Sequence, residues 1–194
     1  MTKIVLIGYR ASGKTSVGSE LAEKLVVPFF DTDELVFKFT GRTVKQIVED
    51  EGWEAFREAE CRVIRKLAEP GSFVIALGGG VVMDEKNVEI LKKNAFFIWL
   101  SADIEKIMER MIKDGYTESQ RPALSDKDSV SEVEKILRER IPVYKRTADW
   151  TIDTSEYTVG EITGEIILAV EKGKIPWGTA GKRKGKGLIC RETR

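Results

Sequence analysis

The sequence contains no histidine and only two cysteines, Cys61 and Cys190. Without histidine, metal ligation and proton transfer fall to carboxylates, hydroxyls, lysine and arginine. A zinc enzyme or a serine–histidine hydrolase is thereby disfavoured. The cysteines lie far apart and form no metal-ligand spacing, so both read as free thiols in a reducing cytosol. Long apolar runs are missing as well, none approaching the ~20 residues that cross a membrane. An apolar strand begins almost at Met1, so no signal or transit peptide is expected. Net charge is also absent, with 32 basic and 32 acidic residues. The balance is uneven along the chain. From Lys174 onward there are seven basic residues against Glu192 alone, a tail of +6 that leaves −6 on residues 1–173. Five glycines make that tail a poor helix or strand, and a flexible extension is expected over residues 173–194. A basic tail can touch nucleic acid or an acidic partner; a solvated appendage is the commoner case.

What is present points to one soluble domain. The chain has 194 residues, 42% hydrophobic and 33% charged, enough for a full core. Near its start stands Gly8-Tyr9-Arg10-Ala11-Ser12-Gly13-Lys14-Thr15, the G-x-x-x-x-G-K-T spacing of a phosphate-binding loop. An apolar run, Ile4-Val5-Leu6-Ile7, precedes it as a buried strand. Residues 16–25 follow with Val17, Leu21, Ala22 and Leu25 on one helical face. Gly8 and Gly13 let the backbone bend so that successive amides face an anion, and the helix adds its positive end. Lys14 reaches the β- and γ-phosphates, and Thr15 offers a hydroxyl to magnesium. A nucleoside triphosphate is the expected ligand, held by Arg10, Ala11, Ser12, Gly13, Lys14, Thr15 and Ser16.

Further along, strands are expected at 26–30, 73–77, 95–100 and 150–152. Helices are expected at 33–39, 44–49, 54–67, 84–93, from 103 onward, at 130–146 interrupted by Pro142, and at 159–170. Residues 113–127 turn polar and read as a loop. Continuous apolar strands alternating with helices imply a parallel sheet of about five strands covered on both faces, a three-layer α/β/α domain. In such a sheet ligands sit outside the carboxyl ends of the strands. Three loops meet there: the phosphate loop, Asp31-Thr32-Asp33 and Gly78-Gly79-Gly80. Asp31 and Asp33 suit different tasks, one toward the metal and one toward an acceptor hydroxyl, although Asp33 also fits a helix N-cap. Arg57 is either a solvated helix arginine or a bidentate fork for a carboxylate. The triple glycine either admits a ligand to bare backbone or makes a tight turn. Arg121-Pro122 could be a mobile cation over phosphates. Arg138, Arg140, Lys145 and Arg146 could equally be a charged helix surface.

Taken in order, Gly-x-x-x-x-Gly-Lys-Thr, Asp-Thr-Asp, Phe56-Arg57-x-x-Glu60, Gly-Gly-Gly, Arg121-Pro122 and Arg140-x-x-x-Tyr144 resemble shikimate kinase. Ala148-Asp149 before the last strand is similar too. The resemblance spans residues 3–172. It implies a P-loop kinase fold, with a substrate-binding helical insert at about 33–61 and a lid at about 113–127. It also implies phosphorylation of the shikimate 3-hydroxyl by ATP with Mg2+, on the way to chorismate and the aromatic amino acids. By the same resemblance, Asp33 meets the acceptor hydroxyl, and Arg57 and Arg140 hold the substrate carboxylate. Glu60 supports Arg57, and Gly79 and Gly80 offer backbone to the substrate. Thr15 and Asp31 stand on the metal side, Arg121 with Lys14 at the phosphates, and Arg110 beside adenine. A cytoplasmic monomer is expected, with no membrane or nucleic-acid partner. The sequence departs from the pattern at Ala11-Ser12, where Gly-Ala is usual, in a longer stretch between Arg110 and Arg121, and in the basic tail. The rival readings are a gluconate-type kinase, a non-catalytic ligand sensor and a nucleotide switch that hydrolyses ATP alone.

Overall fold

The computed structural model describes residues 2–113 and 130–177. Five parallel strands form one sheet in the order β2-β3-β1-β4-β5: β1 (Lys3–Ile7), β2 (Phe29–Asp31), β3 (Val74–Ala76), β4 (Ala95–Ser101) and β5 (Trp150–Asp153). Among the described residues the helices are α1 (Lys14–Leu25), α2 (Thr32–Thr40), α3 (Val44–Leu67), α4 (Glu85–Lys92), α5 (Ile104–Lys113), α6 (Val130–Thr147) and α7 (Val159–Glu171). Every residue of β1 is buried, as a central parallel strand covered on both faces requires. Its side chains alternate. Ile4 and Leu6 join Val17 and Leu21 of α1 and Ile162 and Ile166 of α7 in one core. Val5 and Ile7 join Ile64 of α3, Leu91 of α4 and Tyr144 of α6 in the other. This period of two is what splits the apolar run into the two cores of a three-layer fold. The chain builds the β3–β2 side of β1 before the β4–β5 side, so the strand order reverses at β1, where the phosphate loop leaves.

Several local features differ from the sequence reading. The strand expected from Val26 begins at Phe29, because Val26 closes α1 as a left-handed C-cap (φ 54) and is exposed. The N-cap of α2 is Asp31, whose side chain accepts from the Asp33 amide at 3.0 Å, so Asp33 lies in the first turn rather than at the cap. Gly52 does punctuate as expected: its backbone, at φ 85 and ψ 175, is non-helical, so two helical segments meet across a kink within α3. Its start is secured by a capping box between Thr43 and Gln46. Pro142, by contrast, leaves α6 unbroken where an interruption is expected, with the buried anchors Leu137 and Tyr144 holding the helix on either side. Nor does the chain leave the core at 173. It reverses at Gly173, buries Ile175 and packs Trp177 against the α1–α7 core. The expected tail residues from 178, with Cys190, lie outside the described residues, as does the expected lid beyond Lys113.

Candidate active site

The phosphate loop takes the shape that its glycines permit. Gly8 (φ 145) and Gly13 (φ 93) occupy backbone regions that other residues rarely adopt. A Cβ on Gly8 would also run into the Leu100 carbonyl oxygen. Ala11 sits at φ 58, the left-handed position where a glycine would be unstrained, which gives a physical basis for the usual Gly there. Lys14 opens α1 and donates to the Tyr9 carbonyl at 2.7 Å, so its ammonium is folded over the loop. Thr15 Oγ1 donates to Asp31 Oδ2 at 2.8 Å, joining this loop to the end of β2. Ser16 is exposed beside it on the same first turn.

The other two loops are tied together by a residue that sequence reasoning passed over. Thr32, buried between the aspartates, accepts the Gly78 amide at 2.8 Å across a separation of 46 residues. The three glycines take no positive φ, so backbone handedness does not explain them. Space does. A Cβ on Gly80 would stand 2.5 Å from Arg57 Nη2, and one on Gly78 would stand 2.8 Å from Asp33 Oδ1 and 3.1 Å from Glu60 Oε1. On Gly79 it would lie 3.4 Å from Arg140 Nη1. Close approach, rather than a tight turn alone, is the reason for Gly-Gly-Gly.

Those contacts define a cleft open to solvent and lined by Asp33, Arg57, Glu60, Gly78, Gly79, Gly80 and Arg140, with Arg10 at its margin. Tyr9, Val44, Trp53 and Phe56 supply its apolar walls. The Arg57 guanidinium pairs with the Glu60 carboxylate and lies 5.3 Å from the Phe56 ring and 5.6 Å from the Trp53 ring. Arg140 stands 5.8 Å from the Tyr9 ring. Burial pushes the Glu60 carboxyl above the usual carboxylate range, and Arg57, then Arg140, pull it partly back. Tyr144 donates to the Gly79 carbonyl at 2.7 Å, and burial lifts its hydroxyl to about 12, so it remains a donor at any physiological pH. Of the five α6 cations, only Arg140 lines the cleft; Lys135, Arg138 and Lys145 are exposed, and Arg146 pairs with Glu85 at 3.1 Å.

Two guanidiniums at one end of a small polar cleft, an aspartate at its side and a phosphate loop next door suit an acidic, hydroxylated small molecule. Comparison with known proteins agrees. The shikimate kinase family model, described as "Shikimate kinase", matches residues 10–171. A shikimate kinase of Syntrophus aciditrophicus is 44% identical over 84% of this chain and 88% of its own. One from Caldanaerobacter subterraneus subsp. tengcongensis is 40% identical over 90% of this chain and 99% of its own. The chain belongs to the shikimate kinase family. Among solved structures, the shikimate kinase of Acinetobacter baumannii in complex with shikimate superposes with a TM-score of 0.82 at 30% identity, covering 90% of this chain and 95% of that one. The P-loop kinase fold is shared.

Within this shikimate kinase family member, the remaining expected site residues fall as follows. Arg110, on α5, lies on the far side of the phosphate loop, where its Nη1 donates to Thr154 Oγ1 at 3.1 Å and to the Ala11 carbonyl at 3.4 Å. Arg121 lies outside the described residues. No group of three acidic, histidine or cysteine side chains suited to a metal occurs among the described residues. The Thr15 hydroxyl and Asp31 carboxylate are nonetheless hard oxygen donors in contact beside the phosphate loop. Such a sparse pair fits Mg2+, which keeps most of its waters and takes other ligands from phosphate oxygens. Residues missed by sequence reasoning are Thr32, Tyr9, Val44 and Trp53. Their signal was weak because each is an ordinary residue in an apolar or polar stretch, placed at the cleft only by folding.

Proposed function

We propose that the cleft binds shikimate and the phosphate loop binds ATP, and that the chain transfers the terminal phosphoryl group to the shikimate 3-hydroxyl. The product is shikimate 3-phosphate, a step on the route to chorismate and the aromatic amino acids. Phosphoryl transfer demands alignment and charge neutralisation more than covalent participation by the protein. Arg57 and Arg140 grip the substrate carboxylate, while Glu60 holds the Arg57 fork in register. Gly79 and Gly80 let the ring approach bare backbone. Asp33 orients the acceptor hydroxyl and takes its proton as the new P–O bond forms. Lys14 and the amides of residues 10–16 cradle the phosphates, with Arg110 near the base and Arg121 closing over the transferring group. Thr15 and Asp31 hold Mg2+, which supplies charge neutralisation at the phosphate oxygens when bound. Residues 33–61 act as the substrate-binding insert and 113–127 as the lid. The chain works as a cytoplasmic monomer in this reading; no described helix is long and apolar enough to cross a membrane.

The observation that carries the reading is the meeting of Asp33, Arg57 and Arg140 in one cleft next to the phosphate loop. The test is a coupled assay of ADP formation with ATP, Mg2+ and a panel of acceptors. ADP release that requires shikimate supports the proposal. Release with gluconate alone, or equal release without any acceptor, overturns it in favour of another small-molecule kinase or a nucleotide switch.

A further inference from the structure

We propose that Thr154 is a positioning residue for the nucleotide site, bracing the phosphate loop from behind and coupling it to Arg110. Thr154 directly follows β5 and is buried, yet its side chain sits among polar atoms from three other parts of the chain. Its Oγ1 accepts from Arg110 Nη1 at 3.1 Å and offers its single hydrogen to the carbonyls of Ser101, at 3.0 Å, and Ser12, at 3.3 Å. Its own carbonyl accepts from Arg110 Nη2. The same guanidinium extends to the Ala11 carbonyl at 3.4 Å. Two consecutive carbonyls of the phosphate loop are thereby drawn toward the β4–β5 edge by one hydroxyl and one arginine.

The consequence follows from peptide geometry. In a planar trans peptide the C=O and the next N–H point in opposite directions. Holding the Ser12 carbonyl toward Thr154 directs the Gly13 amide away from β5, toward the face on which a phosphate sits if this loop binds ATP. Ala11 needs such a brace more than a glycine would, because it is held in the left-handed region at φ 58. The loop amides are then oriented before the ligand arrives, and less ordering is left to accompany binding. Thr154 acts through the loop and touches neither the base nor the sugar.

The proposal rests on reading the phosphate loop as the ATP site, so the test uses binding rather than turnover. Affinities for ATP, for inorganic tripolyphosphate and for shikimate are measured by calorimetry on the full-length chain, its Thr154→Val variant and its Thr154→Ser variant. Valine keeps the shape and removes the hydroxyl; serine restores it. The expected result is a loss of about tenfold for both ATP and tripolyphosphate in the valine variant, the scale of one hydrogen bond to a charged partner. Shikimate affinity is unchanged and serine recovers the loss. A loss for ATP without one for tripolyphosphate overturns the proposal, because Thr154 would then act at the base or sugar. Equal losses for all three ligands, or none for any, overturn it as well. Should valine prevent folding, Thr154→Ala, which relieves crowding, serves for the same comparison. A wild-type chain that binds neither ATP nor tripolyphosphate overturns the underlying reading together with this one; wild-type binding with an indifferent variant overturns this one alone.

Discussion

Replacing Arg57 by alanine separates substrate recognition from nucleotide binding more sharply than any other single change in the cleft. In the free protein the guanidinium pairs with Glu60, whose side chain is 2% exposed, while Arg57 itself is 39% exposed. Losing a charge-assisted contact to a desolvated carboxylate costs about 2–5 kcal/mol, and solvent at Arg57 places this case near the lower end, about 2–3 kcal/mol. At 1.4 kcal/mol per tenfold, shikimate KM should rise roughly 30- to 150-fold with ATP KM nearly unchanged. Initial rates in the coupled assay, varying each substrate at saturation of the other, measure both. The variant also removes the two Arg57 contributions that lower the Glu60 pKa, leaving burial to raise it further. A carboxyl whose folded pKa lies above its unfolded value stabilises the fold at pH below the unfolded value and loses that contribution as pH rises through the folded one. The stability gap between wild type and Arg57→Ala should therefore narrow as pH falls from 7 toward 4.5, read as the difference in Tm. A rise in KM shared equally by ATP and shikimate, or a gap in Tm that does not change with pH, would refute the reasoning.

Further outcomes follow from the same geometry. Asp33→Asn should bind both substrates and lower kcat by about 10²–10⁴-fold, the range for loss of a general base; near-normal turnover removes that role. Gly80→Ala places a methyl against Arg57 Nη2, the end of a flexible side chain, so Tm should stay near wild type while shikimate KM rises by roughly tenfold or more. If Tm falls and KM does not, the glycine serves the turn instead. Lys3 is buried over the Phe73 ring with its ammonium donating to the Ala68 carbonyl at 3.3 Å, and burial lowers its pKa. Because the folded state disfavours the charged form, wild-type stability climbs as pH rises through the lowered folded value toward 10.5. Lys3→Met should thus hold an advantage in Tm at pH 7 that shrinks by pH 10; a constant difference would show that the charge is not strained.

The legible parts of this protein are those encoded by local rules. A glycine–lysine–threonine spacing after an apolar strand needs nothing beyond its neighbours to form a phosphate loop, and the structure opens α1 at Lys14 as that spacing demands. Continuous apolar runs announced the buried parallel strands. Where two local rules competed, the reading slipped. Val26 belongs to a β-favouring run yet closes a helix, and Asp33 resembles a cap although Asp31 fills that role. Ile175, in a glycine- and lysine-rich stretch, gave no sign that it would be buried.

By itself the amino-acid order determined the sheet-and-helix alternation and the phosphate loop, which follow from spacing and side-chain chemistry, and its resemblance to shikimate kinase pointed to Asp33, Arg57, Glu60 and Arg140. Only the tertiary structure decided that Arg140 alone of the α6 cations lines the cleft, that the three glycines clear room for side chains, and that Thr32 and Thr154 tie distant loops together. Periodicity along a chain reports which face is apolar, whereas contacts across dozens of residues depend on strand register and helix packing. Those are set by the whole core at once.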